Sequence, residues 1–188
     1  MPIKSKMIPS VIKSCCITLS GSQLTKNNTN KRFSDTQSIP KLLLFGYGNP
    51  GRGDDALGPM LIEQVAKLAL EQVTCLNDMQ LLVEHVTDLV GFDEVFFVDA
   101  DVSCQAPFEL TQVVAEKDDS YSSHALTPAA LLYIYQQVYD NNAPPAYILR
   151  IRGHQFELGD ALSNQAAINL EAAIKKITQR HETNKICS

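Results

Sequence analysis

Residues 41–59 read KLLLFGYGNPGRGDDALGP, and the fold turns on them. Leu42 to Phe45 is a short apolar run that stops at Gly46, the pattern of a buried strand in a parallel sheet. Gly46, Gly48, Asn49, Pro50, Gly51 and Gly53 then impose a loop, because such residues supply positive φ angles, fixed turns and close backbone approach. Two carboxylates follow, Asp54 and Asp55, and an apolar helical pattern begins near Leu57. A tight loop at the carboxyl end of a strand is where α/β proteins place their chemistry.

Two readings of this loop compete. Gly46-Tyr-Gly48-Asn-Pro-Gly51 satisfies the G-x-G-x-x-G pattern of a dinucleotide site, which makes a nucleotide-binding oxidoreductase one alternative. Asp54 and Asp55 stand where the pyrophosphate would lie, however, and would repel it. The acid expected about 20 residues on is met only by Glu71, inside the helical pattern. A structural role as helix cap and dipole partner suits Asp54 better than it suits the pair.

Outward from the loop, Leu61, Val65, Leu68 and Ala69 share one face, which predicts a helix from Leu57 to about Val73. Pro59 is compatible only with its first turn. Met79 to His85 is expected as a second strand, Thr87 to Asp93 as a short helix or turn, and Val95 to Ala100 as a third strand ending in an acid. Phe108 to Ala115 alternates as an edge strand does, Lys117 to Ser123 is a polar loop, and Thr127 to Tyr139 is helical. Tyr147 to Ile151 supplies a fifth strand, and a last helix is expected from about Ala161. Strands alternating with helices imply an α/β fold: a mostly parallel, twisted five-stranded sheet with helices on both faces.

The chain has 188 residues, 45% hydrophobic and 20% charged, ordinary for one soluble domain with a tail. No apolar run approaches the roughly 18 residues of a membrane span. The five cysteines have no C-x-x-C spacing, so neither a disulfide framework nor a zinc knot is expected, and a reducing cytoplasm fits. Residues 1–40 carry a net charge of +5 and residues 41–188 a net of −10. So acidic a body argues against nucleic acid as a partner. Residues 1–40, rich in Ser, Thr, Asn and Lys without sustained periodicity, read as a disordered extension outside the fold. The composition also suits an organellar transit peptide, although arginine is scarce. Residues 41–180 form the expected domain, and residues 181–188 a frayed tail holding His181.

Asp55 follows the first predicted strand, Asp99 ends the third, and His124 precedes the helix that begins at Thr127. In a parallel sheet these positions lie along one edge and could converge. Two carboxylates and an imidazole would make an open site for a divalent ion such as nickel or zinc. The alternative gives them separate jobs: a cap at Asp55, a strand-end hydrogen bond at Asp99 and a helix-start histidine at His124. His85 reads as a surface or supporting group, His154 as a loop histidine, and Glu84 as either a supporting hydrogen-bond partner or a substrate contact. Cys104 has no neighbours that would activate it.

Gly46-x-Gly48-Asn49-x-x-x-x-Asp54-Asp55-x-x-Gly58 resembles the signature of the hydrogenase maturation proteases. The similarity continues through Gln80-Leu81-x-x-Glu84, Phe97-Val98-Asp99-Ala100, Ser123-His124 and Phe156 to Ser163, covering about residues 41–178. Asp55 stands where the family often has glutamate, and Ala56 where many members have glycine. The resemblance implies an endopeptidase that removes the carboxy-terminal extension of a nickel–iron hydrogenase large-subunit precursor. It implies Asp55, Asp99 and His124 as metal ligands, nickel brought by the precursor, and a cytoplasmic monomer that meets neither membrane nor nucleic acid. Asp99-Ala100 matches the family's Asp-Ala pair, with Asp101 as the reserve. Hydrolysis assisted by metal or by a carboxylate base is left open, and so is a non-catalytic chaperone that only holds the immature subunit.

Overall fold

The computed structural model describes residues 39–117 and 126–187. The extension before residue 39, residues 118–123 of the expected polar loop, and His124 fall outside the described residues. Five strands form one sheet in the order β2-β1-β3-β5-β4. They are β1 Leu42–Tyr47, β2 Val73–Asp78, β3 Glu94–Asp101, β4 Phe108–Val113 and β5 Ala146–Arg152. The first, second, third and fifth run parallel, and β4 closes one edge antiparallel to β5.

The period of two along the strands divides two cores. Leu42, Leu44, Phe96, Val98, Leu149 and Ile151 face helices α1 (Leu57–Lys67) and α3 (Asn164–Cys187), which contribute Leu61, Val65, Leu170 and Ile177. Leu43, Phe45, Val95 and Phe97 face the other way, onto α2 (Pro128–Tyr139) and the 3-10 segment Val83–Leu89. Central strands buried on both faces explain the unbroken apolar runs at 42–45 and 95–98. Helices on both faces of a largely parallel sheet are the expected architecture.

Three local expectations need correction. The second strand is Val73–Asp78, not Met79–His85. The chain leaves α1 at Lys67 and turns through Ala69 and Gln72 at positive φ, so the strand starts earlier. Of the stretch expected as strand, Leu81 is buried and the segment winds into the 3-10 turn that covers Phe45. The last helix begins at Asn164, where Ser163 Oγ accepts from Ala166 N–H at 3.2 Å. It then runs through Cys187, so the boundary at residue 181 falls inside it. His181 is buried there, its Nε2 at 2.8 Å from Glu71 O.

Candidate active site

The crossovers on either side of β1 depart in opposite directions. From β1 the chain passes through α1 to β2, and from β2 it returns past β1 to β3 on β1's other side. The carboxyl ends of β1 and β3 therefore flank a switch point, where open α/β sheets form their crevice. Gly58, at the start of α1, lets that helix close on both strand ends. A Cβ there would lie 2.5 Å from Tyr47 O and 2.6 Å from Val98 O. At Gly48, φ is +141° and a Cβ would sit 2.1 Å from Asp55 O, so the loop folds back on itself only with glycine.

The two adjacent acids of the loop do different things. Asp54 is fully buried. Its Oδ2 accepts from His154 N–H at 2.6 Å, Gln155 N–H at 3.0 Å and the Ser163 hydroxyl at 2.8 Å. Its Oδ1 accepts from Ser163 N–H at 2.7 Å. Burial opposes the charge, but these donors outweigh it and hold the carboxyl below its usual range. The expected cap is corrected: neither the 3-10 turn Gly53–Ala56 nor α1 has a side-chain cap. Asp54 instead ties the β5–α3 connection, including the residue that caps α3, to the glycine loop.

Asp55 is half-buried and has one such bond, from Asn49 N–H to Oδ2 at 2.9 Å. Asp99 ends the core run of β3, and its Oδ1 accepts from Ala100 N–H at 2.8 Å. Burial pushes the Asp99 carboxyl up to about 7, with the charges of Asp55 and Asp101 adding to the effect and the Ala100 N–H opposing it. Asp55 and Asp99 are thus near enough to feel each other across the crevice. Among the described residues neither forms an ion pair.

The reserve acid is otherwise occupied. Asp101 Oδ1 accepts from the Ser103 hydroxyl at 2.6 Å and Cys104 N–H at 3.1 Å, and Oδ2 from Arg150 at 3.2 Å. Those partners hold its carboxyl below the usual range. His124 lies outside the described residues. The closest described residue after it, Leu126, is bound through its N–H to Leu81 O at 2.9 Å, and Thr127 Oγ1 caps α2 on Ala130 N–H. Among the described residues no three His, Cys, Asp or Glu side chains gather as a metal site.

His85 is buried rather than superficial. Its Nδ1 accepts from Leu82 N–H at 3.0 Å, and its Nε2 faces Asp78 at 3.3 Å. Asp78 helps line a shallow cleft of about 300 Å³ beside the loop, with Gly48, Pro50, Pro59, Asn77 and Met79. Glu84 and His154 are exposed, and the Cys104 thiol is buried and pushed up by that burial. One residue at the crevice escapes sequence reasoning. Tyr47 occupies an unspecified position of G-x-G, yet its ring packs partly buried on the α2-side core, and burial, with the charge of Asp99 adding to it, pushes its phenol up. A polar-tipped aromatic as the last residue of a central strand was the available signal.

No family model matches the sequence, and no curated protein does. Solved structures do. The [NiFe] hydrogenase maturation protease HycI of Thermococcus kodakarensis superposes with a TM-score of 0.63 at 20% identity, over 76% of this chain and 93% of that one. The hydrogenase maturating endopeptidase HybD of E. coli gives 0.57 at 18%, over 73% and 89%. An uncharacterized protein from Wolinella succinogenes gives 0.54 at 18%, over 77% and 99%. At such identities the likeness speaks for the fold, and it extends over nearly the whole of each neighbour. The chain has the fold of the [NiFe] hydrogenase maturation proteases.

Proposed function

We propose that this chain is an endopeptidase that removes the carboxy-terminal extension of a nickel–iron hydrogenase large-subunit precursor after nickel insertion. The observation that carries the proposal is the pair Asp55 and Asp99. Asp55 stands after β1 and Asp99 near the end of β3, the two strands that flank the switch point, near enough for the charge of Asp55 to raise the Asp99 carboxyl. Among the described residues they lack cationic partners, while the neighbouring Asp54 is buried with its donors already in place. A fold shared with proteases of this activity supports it.

Nickel in this reading belongs to the substrate. Asp55 and Asp99 offer it oxygen donors, and His124 is the proposed third ligand. A carboxyl held near 7 by burial regains its charge when a divalent ion approaches, because an opposite charge favours the ionised form. Engagement of the ion fixes the precursor so that its scissile bond lies in the crevice, and positioning alone is a large part of such a rate. A divalent ion with an open position also supplies Lewis acidity toward the scissile carbonyl. The cleft beside Gly48 and Met79 offers room for the polypeptide next to that bond.

The test compares purified precursor with and without nickel. Cleavage of the nickel-loaded form and an intact nickel-free form are expected. Equal cleavage of both would remove nickel from the reading, and stable binding without cleavage of either would mark a chaperone.

A further inference from the structure

We propose that the open edge of β2, at Cys75 and Asn77, receives the precursor's carboxy-terminal extension, which adds to the sheet as an extended strand through main-chain hydrogen bonds. The identity of the partner rests on the functional reading above, but the open edge itself does not.

The ladder decides which groups are free. β2 ends the sheet and pairs with β1 alone, in unbroken register from Leu42 beside Val73 to Tyr47 beside Asp78. Leu42 N–H donates to Gln72 O at 2.8 Å and Gly48 N–H to Asp78 O at 3.3 Å, so alternate residues from Gln72 to Asp78 turn their main chain toward β1. Cys75 and Asn77 fall between them and turn both N–H and C=O away from it. Among the described residues no other strand or loop takes up those groups. Sheet edges are commonly blunted by lysine, proline or a bulge. Val73–Asp78 has neither lysine nor proline and no break in register, and Asn77 is exposed.

The position of this edge commits it to one occupant. Asp55 follows β1 and Asp99 is on β3, so the folded body of the precursor, which carries the nickel, is met on the β3 side of β1. The cleft of about 300 Å³ lies on the β2 side, where Asn77, Asp78 and Met79 accompany Gly48, Pro50 and Pro59. A chain that passes the scissile bond and leaves through this cleft arrives at the carboxyl end of β2. Two strand spacings, roughly 10 Å, separate β1 from a strand added to β2, a distance that about three extended residues cover. The extension is the part of the precursor that follows the scissile bond, so it is what this edge receives. Pro50, Pro59 and Met79 give its side chains an apolar wall, while the main-chain bonds supply affinity whatever its sequence. The other open edge, β4, is separated from β3 by β5.

Two measurements on the full-length protein test this. The first is amide hydrogen exchange at single residues, in a brief pulse after mixing with saturating nickel-loaded precursor and before cleavage proceeds. The Cys75 and Asn77 amides should exchange fast in the free protein and slow by at least about tenfold with precursor. They should stay fast with the mature large subunit, which lacks the extension. The second is steady-state cleavage by Asn77→Pro, which removes one edge donor and leaves the bonds to β1 intact. Its control is Gln112→Pro, the same change on the β4 edge, where Arg152 N–H donating to Pro107 O sets the parity that turns Gln112 N–H away from β5. Asn77→Pro should raise KM by about tenfold with kcat within about threefold, and Gln112→Pro should leave both within about threefold. Unchanged exchange with precursor overturns the proposal, and so does equal slowing by the mature subunit. A folded Asn77→Pro with wild-type KM overturns it too, as does an equal effect from Gln112→Pro. If Asn77→Pro does not fold, exchange in the wild-type protein decides. If the wild-type protein leaves the precursor intact, the protease reading fails, and the exchange data decide the edge by themselves.

Discussion

Asp54 and Asp55 are neighbours in sequence and identical in chemistry, yet they belong to two different regions of the molecule. Asp54 points inward, takes four donors from residues about a hundred positions away, and is held ionised. Asp55 is half-buried after β1, takes one donor, and adds its charge to the burial that raises the carboxyl of a second acid, Asp99, to about 7. A carboxylate whose lone pairs are used up internally is an organiser of the fold. One left with spare acceptor capacity beside a like-charged neighbour has been kept available for a ligand. The difference comes from the 3-10 turn at Gly53–Ala56, which sends successive side chains in divergent directions.

The contrast is easiest to break at the crevice. Asp55→Asn and Asp99→Asn remove the charge a divalent ion needs, and each should lower cleavage of the nickel-loaded precursor by more than about 100-fold, the scale of a lost charged group in a reaction centre. Thermal unfolding should scarcely change for Asp55→Asn. A variant that keeps activity would take its residue out of the site.

Substitution at Asp54 should do the reverse. Asp54→Ala leaves three part-buried backbone N–H groups without their acceptor, at a cost of about 3 kcal/mol or a Tm lower by about 6–12 °C. Asp54→Asn also fails to replace it, since the amide nitrogen turns a donor toward donors, and a loss of about 2 kcal/mol is expected. Cleavage per folded molecule should stay within a few-fold of wild type. An Asp54→Asn protein as stable as wild type would mean that these bonds do not anchor the β5–α3 connection.

Acidity separates the pair by sign. The Asp54 carboxyl is depressed on folding, so its contribution is present above the unfolded value near 3.8 and disappears as pH falls through the lower folded value. The Asp99 carboxyl is raised, so the folded state holds its proton longer than the unfolded state does. Folding is then progressively disfavoured as pH climbs from near 4 toward about 7. Melting curves of Asp99→Asn against wild type should show the variant gaining relative stability from pH 5 to pH 8. The Asp54→Asn deficit should stay flat over that range. A flat Asp99→Asn difference would mean an Asp99 that is ionised throughout.

Much of this was legible in the sequence, and what was not has physical causes. The central strands announce themselves because Leu42 to Phe45 and Val95 to Val98 are buried on both faces. The edge strand β2 does not: Thr74, Asn77 and Asp78 are exposed, while the apolar Leu81-Leu82-Val83 that follows looks more like a strand than it does. Asp55 and Asp99 could be nominated because loops after parallel strands share an edge. The role of Asp54 could not, since its partners at His154, Gln155 and Ser163 carry no local pattern pointing back to residue 54.

The most direct measurement is the intact mass of nickel-loaded large-subunit precursor over time, mixed in parallel with wild-type protein, Asp54→Asn and Asp55→Asn at a temperature where all three are folded. The account predicts loss of a carboxy-terminal peptide with wild type and Asp54→Asn, and an unchanged precursor with Asp55→Asn. An unchanged precursor with wild type, or cleavage by Asp55→Asn but not by Asp54→Asn, would contradict it.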